Sequence, residues 1–320
     1  MGGDRRTRLF RLFRPQLAAR KAGRPRRGGR MKILVGLSAD QGGQEALALG
    51  AVLARSCKAS LVACTVTPDT WGHPSPARVD GEYGSFLARH TAAVQAEAKA
   101  SLPNDVMAEF LAVSASSARE GLTRTASEIG ADCLVLGSAR EAPFGRFGEG
   151  GVTTELLRSA HLPVAVAPHG YSAGPQTRVR RLSASFSGSA SAADIVARSA
   201  ALAREYTVPL RLVTFVVRDK QMYPTGAGYD AEHFVSNVLR EQARDAQTAL
   251  LAGQAGLSAE IADGATWKAA FDSLTWQEGE LLVLGSSKLG PLMRVFLGSN
   301  ARKIVHNAPV PCLILPRGEE

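Results

Sequence analysis

Two stretches of this chain repeat one another. Residues 134–170, LVLGSAREAPFGRFGEGGVTTELLRSAHLPVAVAPHG, align without a gap to residues 282–318, LVLGSSKLGPLMRVFLGSNARKIVHNAPVPCLILPRG, at an offset of 148 with 12 identities in 37 positions. The beginnings agree as well: MKILVGLSAD from Met31 is similar to RRLSASFSGS from Arg180 at nearly the same offset. Internal similarity of this kind constrains the architecture before any single element is assigned. The body of the 320-residue chain is one domain written twice, residues 31–170 and 178–320, with residues 171–177 as the linker. The length accommodates two domains of ordinary size.

Each copy alternates short apolar runs with helical spacing. In copy one, strands are predicted at 32–37, 60–66, 106–114, 133–136 and 163–167. Helices are predicted at 44–57, 81–101, 117–130 (closed by Gly130) and 152–160. Copy two repeats the order, with a long helix at 230–251 after a Gly/Pro-rich loop at 217–229. Strands alternating with helices imply right-handed crossovers, so each copy is expected to be an α/β unit with a doubly wound, five-stranded parallel sheet covered on both faces. Ligands in such sheets bind beyond the carboxyl ends of the strands, where the strand order reverses. That directs attention to the loops after the first and fourth strands of each copy.

The formal charge of +9 sits in one place. Residues 1–30 hold ten Arg and one Lys against Asp4, which leaves 38 − 11 = 27 basic and 29 − 1 = 28 acidic residues in the body. A nucleic-acid-binding domain carries its charge on a folded face, and no such excess follows Met31. Specific nucleic-acid binding is therefore not expected. The Arg/Pro/Gly-rich arm has too little apolar residue for a core, so disorder is expected, and it lacks a secretory apolar region. Three readings of it stay open: a start at Met31, an arm that touches anionic partners, or a targeting segment. No run is apolar enough to span a membrane. Cys57, Cys64, Cys133 and Cys312 form no CxxC pair and no Cys/His cluster has metal-ligand spacing, which suggests reduced thiols in a cytoplasmic protein without a metal site.

The loop after the fourth strand of copy two can hold an anion. Gly285 lets the backbone leave the strand tightly, Gly298 allows a close approach, Ser299 stands at a helix start, and Lys288 and Arg294 add positive charge. Capping glycines and serines are common, so these residues alone also suit a purely structural turn. In copy one the corresponding loop contains Gly137, Arg140, Gly150 and Gly151, with Gly145 and Gly148 between them. Carboxylates near these loops are few: Glu141 and Glu149 in copy one, and none between Gly285 and Asn300 in copy two.

The whole body, from Met31 to Arg317, resembles a tandem universal stress protein. The family hallmark is a Gly-x-x-Gly-x9-Gly-Ser/Thr loop after the fourth strand, followed by a helix and a proline-flanked final strand. The latter stands here as Ser159-Ala160-His161-Leu162-Pro163-Val164 and as His306-Asn307-Ala308-Pro309-Val310-Pro311-Cys312-Leu313. The resemblance implies a Rossmann-like sheet of the adenine-nucleotide alpha hydrolase type in each half. It also implies that one branch of the family binds ATP at this loop, with Mg2+, while another branch does not. Carried onto copy two, the backbone of Leu284, Gly285, Ser286, Gly298, Ser299 and Asn300 would hold phosphates, Ser187 would lie near the ribose, and Val216 near the base. This chain departs from the motif: Lys288 and Arg140 replace the second glycine, Gly151 replaces the Ser/Thr, and Ser38 and Ser187 stand where ATP-binding members have Asp. Copy two is therefore the better ATP candidate.

Efficient catalysis is not expected, and slow ATP hydrolysis is the most the residues support. There is no Walker motif, no GxSxG elbow, and few acidic groups to hold a metal. Trp267 and Trp276 read as packing residues, and His306 as a partner for a helix carboxyl end. Two functions remain: a nucleotide-binding stress regulator, or a protein-interaction scaffold with a degenerate site and an unknown protein partner. The resemblance also implies that the last strands, 163–167 and 311–315, can pair as a pseudo-two-fold intramolecular dimer, since single-copy members of the family pair through this edge, with a monomer or a homodimer equally compatible.

Overall fold

A computed structural model describes residues 30–69, 80–187, 190–218, 229–251, 256–286 and 299–316. Copy one runs β1 (Lys32–Gly36), α1 (Gln41–Cys57), β2 (Ser60–Pro68), α2 (Asp80–Ser101), β3 (Ala108–Ala115), α3 (Ala118–Ile129), β4 (Cys133–Leu136), α4 (Gly151–Ser159) and β5 (Val164–Val166). Copy two runs β6 (Arg181–Ser185), α5 (Ala190–Tyr206), β7 (Leu210–Val217), α6 (Tyr229–Leu251), β8 (Leu257–Gly264), α7 (Trp267–Asp272), β9 (Glu280–Gly285), α8 (Ser299–Asn307) and β10 (Cys312–Leu315).

Local chemistry sets the helix ends. The Asp40 carboxylate accepts from Gly43 N at 3.3 Å and caps α1. Ser117 caps α3 by accepting from Glu120 N at 3.2 Å, and Thr266 repeats the device at α7, accepting from Ala269 N at 3.2 Å. Gly130 ends α3 at φ 62°, a left-handed turn that a side chain disfavours. Strand β4, Cys-Leu-Val-Leu, is buried on both faces, as a central parallel strand must be.

The strand order is β3-β2-β1-β4-β5-β10-β9-β6-β7-β8. Within each half every pair is parallel. The halves join through one antiparallel pair, Cys312 opposite Val166, Leu313 opposite Ala165 and Ile314 opposite Val164. The two expected five-stranded sheets are thus fused into a single ten-stranded one, and neither β5 nor β10 is left as an edge. Both cores cross the seam. On one face α1, α2 and α5 pack on Ile33, Val35, Val135, Leu182, Val283 and Leu313. On the other, α3, α4 and α8 pack on Leu34, Leu134, Val164, Leu282 and Ile314. Because β5 and β10 are antiparallel, the carboxyl edge of copy one lies beside the amino edge of copy two, and the two candidate loops open on opposite edges.

The linker is anchored rather than draped. Arg55 is buried, pairs with Asp105 at 2.6 Å and donates to Thr177 O at 2.7 Å, while Arg178 donates back to Arg55 O at 2.6 Å. The four cysteines are free, and burial pushes the Cys57 thiol up to about 11 and Cys133 to about 12, so both are protonated, unreactive packing groups. Among the described residues no helix is long and apolar enough to cross a membrane.

Candidate functional site

Strand order reverses between β1 and β4 in copy one and between β6 and β9 in copy two, so each candidate loop flanks a switch point. In copy two, Ser187 is exposed two residues beyond β6, Val216 is buried near the end of β7, and Leu284, Gly285 and Ser286 close β9. All five stand at the carboxyl ends of the adjacent strands β7, β6 and β9. A Cβ on Gly285 would come within 2.5 Å of the Ile195 side chain on α5, so any larger residue there would force Ile195 to shift. Ser286 N donates to Leu315 O at 3.0 Å, whereas its hydroxyl is buried with no hydrogen-bond partner among the described residues. Ser299 and Asn300 are exposed as the first residues of α8. Lys288, Arg294 and Gly298 lie outside the described residues.

Copy one presents the same frame filled with protein. Ser38 donates to the Asp40 carboxylate, which also caps α1. The start of α1 sits on the switch point: a Cβ on Gly137 would overlap the Gly42 carbonyl. Ser138, the counterpart of Ser286 at the offset of 148, accepts from Gly148 N at 2.8 Å, and Ala139 N donates to Gly148 O at 2.9 Å. Gly145 N donates to His169 O and His169 N to Arg146 O, both at 2.8 Å. The loop from β4 to α4 is therefore zipped onto itself and onto the segment after β5. Glu45 locks it from beneath. Its carboxylate is 2% exposed and accepts from Ser138 N at 3.4 Å and from Gly170 N, with His169 Nδ1 3.4 Å away. Burial raises the pKa of Glu45, against the backbone donors that lower it. Arg140 is exposed at the loop surface. Gly150 is the N-cap of α4 without a side-chain cap, and nothing lies within 4 Å of a Cβ built on Gly151.

Copy two reaches into this loop. His306 Nδ1 is 3.0 Å from Phe147 O, its Nε2 is 3.4 Å from Glu149, and Arg302 Nε is 3.1 Å from the same carboxylate. Thr154, in the first turn of α4, donates to the other Glu149 oxygen at 3.1 Å. The His306 hydrogen bond, then Arg302 and Thr154, hold Glu149 below the usual carboxylate range, and Glu149 in turn raises His306. His306 does lie in the last turn of α8, but it serves the other copy rather than its own helix end, which no reading of neighbouring residues would reveal. Glu45, buried on a helix, also escaped the sequence reading, because nothing local marks a glutamate as buried.

The tryptophans are packing groups. Trp267 lies tilted against Phe215 at 5.8 Å and Trp276 against Phe271 at 5.6 Å, with Arg211 over the Trp276 ring at 4.8 Å. A cleft of about 310 Å³ at the linker, lined by Tyr171, Trp276, Glu278 and Pro309 among others, shares no residue with either loop.

The model of the universal stress protein family matches residues 29–168 and again 180–316. Universal stress protein Rv2319c of Mycobacterium tuberculosis (strain ATCC 25618 / H37Rv) is 37% identical over 294 residues, covering 89% of this chain and 100% of the relative. Universal stress protein Mb2346c of Mycobacterium bovis matches equally. Among solved structures, a universal stress protein from Archaeoglobus fulgidus DSM 4304 superposes with a TM-score of 0.54 at 15% identity, covering 90% of this chain and 98% of that one. The protein PA1789 from Pseudomonas aeruginosa PAO1 gives 0.54 at 13% identity, with 90% and 93% covered. At these identities the structures speak to the fold.

Proposed function

The chain belongs to the universal stress protein family in both halves, and on that premise we propose that it is a stress-response regulator that binds an adenine nucleotide, ATP with Mg2+, in copy two alone. One contrast carries the reading. Ser138 in copy one spends its acceptor on the loop amide of Gly148, while the equivalent Ser286 keeps a buried hydroxyl with no partner among the described residues. A buried polar atom left unsatisfied is costly, and a ligand that satisfies it gains accordingly. In this reading the amides of Gly285 and Ser286 and those of Gly298, Ser299 and Asn300 at the start of α8 hold the phosphates, with Lys288 and Arg294 supplying charge. Ser187 and Val216 flank the nucleoside. The bound nucleotide supplies a removable polyanion, and Mg2+ offsets part of its charge. In copy one the residues do not fit the same group: Ser38 is engaged by Asp40, and the Glu149 carboxylate stands beside the α4 start, where it repels phosphate.

The scaffold reading is favoured by one observation of its own. Phe144 in the zipped loop is 80% exposed, an apolar group offered to solvent by a segment otherwise tied down. Calorimetric titration of Mg-ATP into the chain from Met31 onward, with Gly298→Val as control, tests the nucleotide reading. Micromolar binding lost in the variant supports it; no binding up to millimolar ATP overturns it in favour of the scaffold.

A further inference from the structure

The cleft of about 310 Å³ at the linker lies apart from both glycine loops, and its walls have a chemistry of their own. A shortened helix makes room for it. Helix α3 runs for 12 residues and α7 for 6. Residues 273–277, which match the helical positions 125–129 at the offset of 148, therefore leave the helix and run along the linker. They are followed by a segment fastened to the linker. Thr177 Oγ1 donates to the Glu278 carboxylate at 2.6 Å, and Arg180 N donates to Gly279 O at 2.7 Å. Gly279 holds φ 75°, and a Cβ on it would collide with the Arg178 carbonyl. The cleft is thus preformed, at the small end of the range for ligand sites. Tyr171, Trp276, Pro309 and Pro311 give it aromatic and apolar walls. Its charged lining is acidic, Glu278 and Glu280, with no basic side chain among the described residues. Glu280 is already neutralised by Arg211 at 2.7 Å and Arg181 at 2.6 Å. Glu278 has the neutral Thr177 hydroxyl as its partner and, among the described residues, no ion pair.

We propose that this cleft binds a compact organic cation, an ammonium head in an alkyl shell, with Glu278 as its counterion and Tyr171 as its aromatic face. Proline and aromatic walls suit the alkyl shell, and a carboxylate beside an aromatic ring suits the charge. Burial, with the Glu278 carboxylate adding to it, pushes the Tyr171 phenol up to about 12, so the ring stays uncharged and keeps its negative face. Trp276 already carries the Arg211 guanidinium over its ring at 4.8 Å, which leaves Tyr171 as the ring for an incoming charge. An anion would meet Glu278. A bare metal ion is a poor match, because no group of three His, Cys, Asp or Glu among the described residues could hold one. At the offset of 148, Trp276 and Glu278 correspond to Glu128 and Gly130, so copy one does not repeat the site. The inference is separate from nucleotide binding and does not depend on it.

The test titrates choline into the full chain at constant ionic strength, beside dimethylbutanol, its uncharged isostere in which carbon replaces the nitrogen. Binding is read by ligand NMR and calorimetry, with circular dichroism and a denaturation midpoint confirming the fold of each variant. Choline is expected to saturate in the millimolar range, and the isostere to bind at least about threefold more weakly. Glu278→Gln, which keeps an acceptor for Thr177, is expected to weaken choline by about fivefold. Tyr171→Leu is expected to weaken it by about threefold or more, while Tyr171→Phe, which keeps the ring, retains it. No saturation by choline, equal binding of the isostere, or binding unchanged in folded Glu278→Gln or Tyr171→Leu overturns the proposal. Gly298→Val is expected to leave choline binding unchanged, so failure of the nucleotide reading appears separately, as absent ATP binding in a chain that still takes choline.

Discussion

The two copies share a scaffold and differ in what fills it, at both edges of the sheet. At the carboxyl edge, copy one satisfies its own loop through Ser138, Gly148, Glu45 and Glu149, while copy two leaves Ser286 unpartnered among the described residues. At the amino edge the contrast reverses. Copy two buries Arg211, 1% exposed, against Glu280 at 2.7 Å, with Ser183 donating to the same carboxylate and Arg181 on its other oxygen at 2.6 Å. The positions matching Arg211 and Ser183 in copy one are Val62 and Leu34, both in its apolar core. On a shared backbone, copy two thus carries a buried polar pair at two positions where copy one is apolar. One half of such a protein can hold a ligand while the other supplies rigidity and a seam.

The amino edge gives the largest expected effect. Glu280→Ala leaves the Arg211 guanidinium buried without its main counterion and should cost about 3–5 kcal/mol. The double replacement Arg211→Met, Glu280→Leu, which moves copy two toward the apolar pattern of copy one, should recover most of it. Chemical denaturation of the three proteins decides; a double variant as unstable as the single one would mean that the ion pair itself carries the stability. Next comes the carboxyl edge. Gly298→Val should weaken Mg-ATP binding by at least about tenfold, or roughly 1.4 kcal/mol, while Gly150→Val leaves it unchanged; equal losses in calorimetry would erase the difference between the copies. Paired caps sharpen what the copies have in common. Ser117→Ala and Thr266→Ala each remove an equivalent helix cap and should each cost about 1 kcal/mol, read from denaturation midpoints.

The smallest effect is a pH dependence of the seam. The pKa of His306 is raised from its ordinary 6.5, first by the Glu149 hydrogen bond. Its contribution to stability is therefore full below 6.5 and is lost as the pH rises through the folded value. Glu149 is lowered from 4.5, so its contribution is present above 4.5 and lost as the pH falls through its folded value. The contact is strongest between those limits, with Arg302 and Thr154 as the other groups facing the carboxylate. His306 is 37% exposed, so solvent screening keeps the effect under about 1 kcal/mol. Midpoints of the chain and of Glu149→Gln, compared across this window, should differ most on the acidic side of the His306 titration and less above it, where Arg302 alone still pairs with the carboxylate.

Much of this architecture was legible in the residues alone. The strand at Cys133–Leu136 and the turn at Gly130 follow from an apolar run and a glycine, and the pairing of the last strands was implied by the family resemblance. Elements drifted only at their ends: α1 begins at Gln41 rather than at residue 44 because Asp40 supplies a cap before the apolar spacing starts. The glycine loops were equally visible, since close backbone approach leaves glycine behind.

The sequence by itself determined the repeat, the α/β class and the edge on which ligands are to be sought, because periodicity, caps and turns are local properties. Tertiary structure alone decided what fills the loop of copy one. Glu45 reaches Gly170 across 125 residues, His306 reaches Phe147 across 159, and Arg211 meets Glu280 across 69. A charge declares its partner only when the fold removes water from between them, and no spacing along the chain encodes that event.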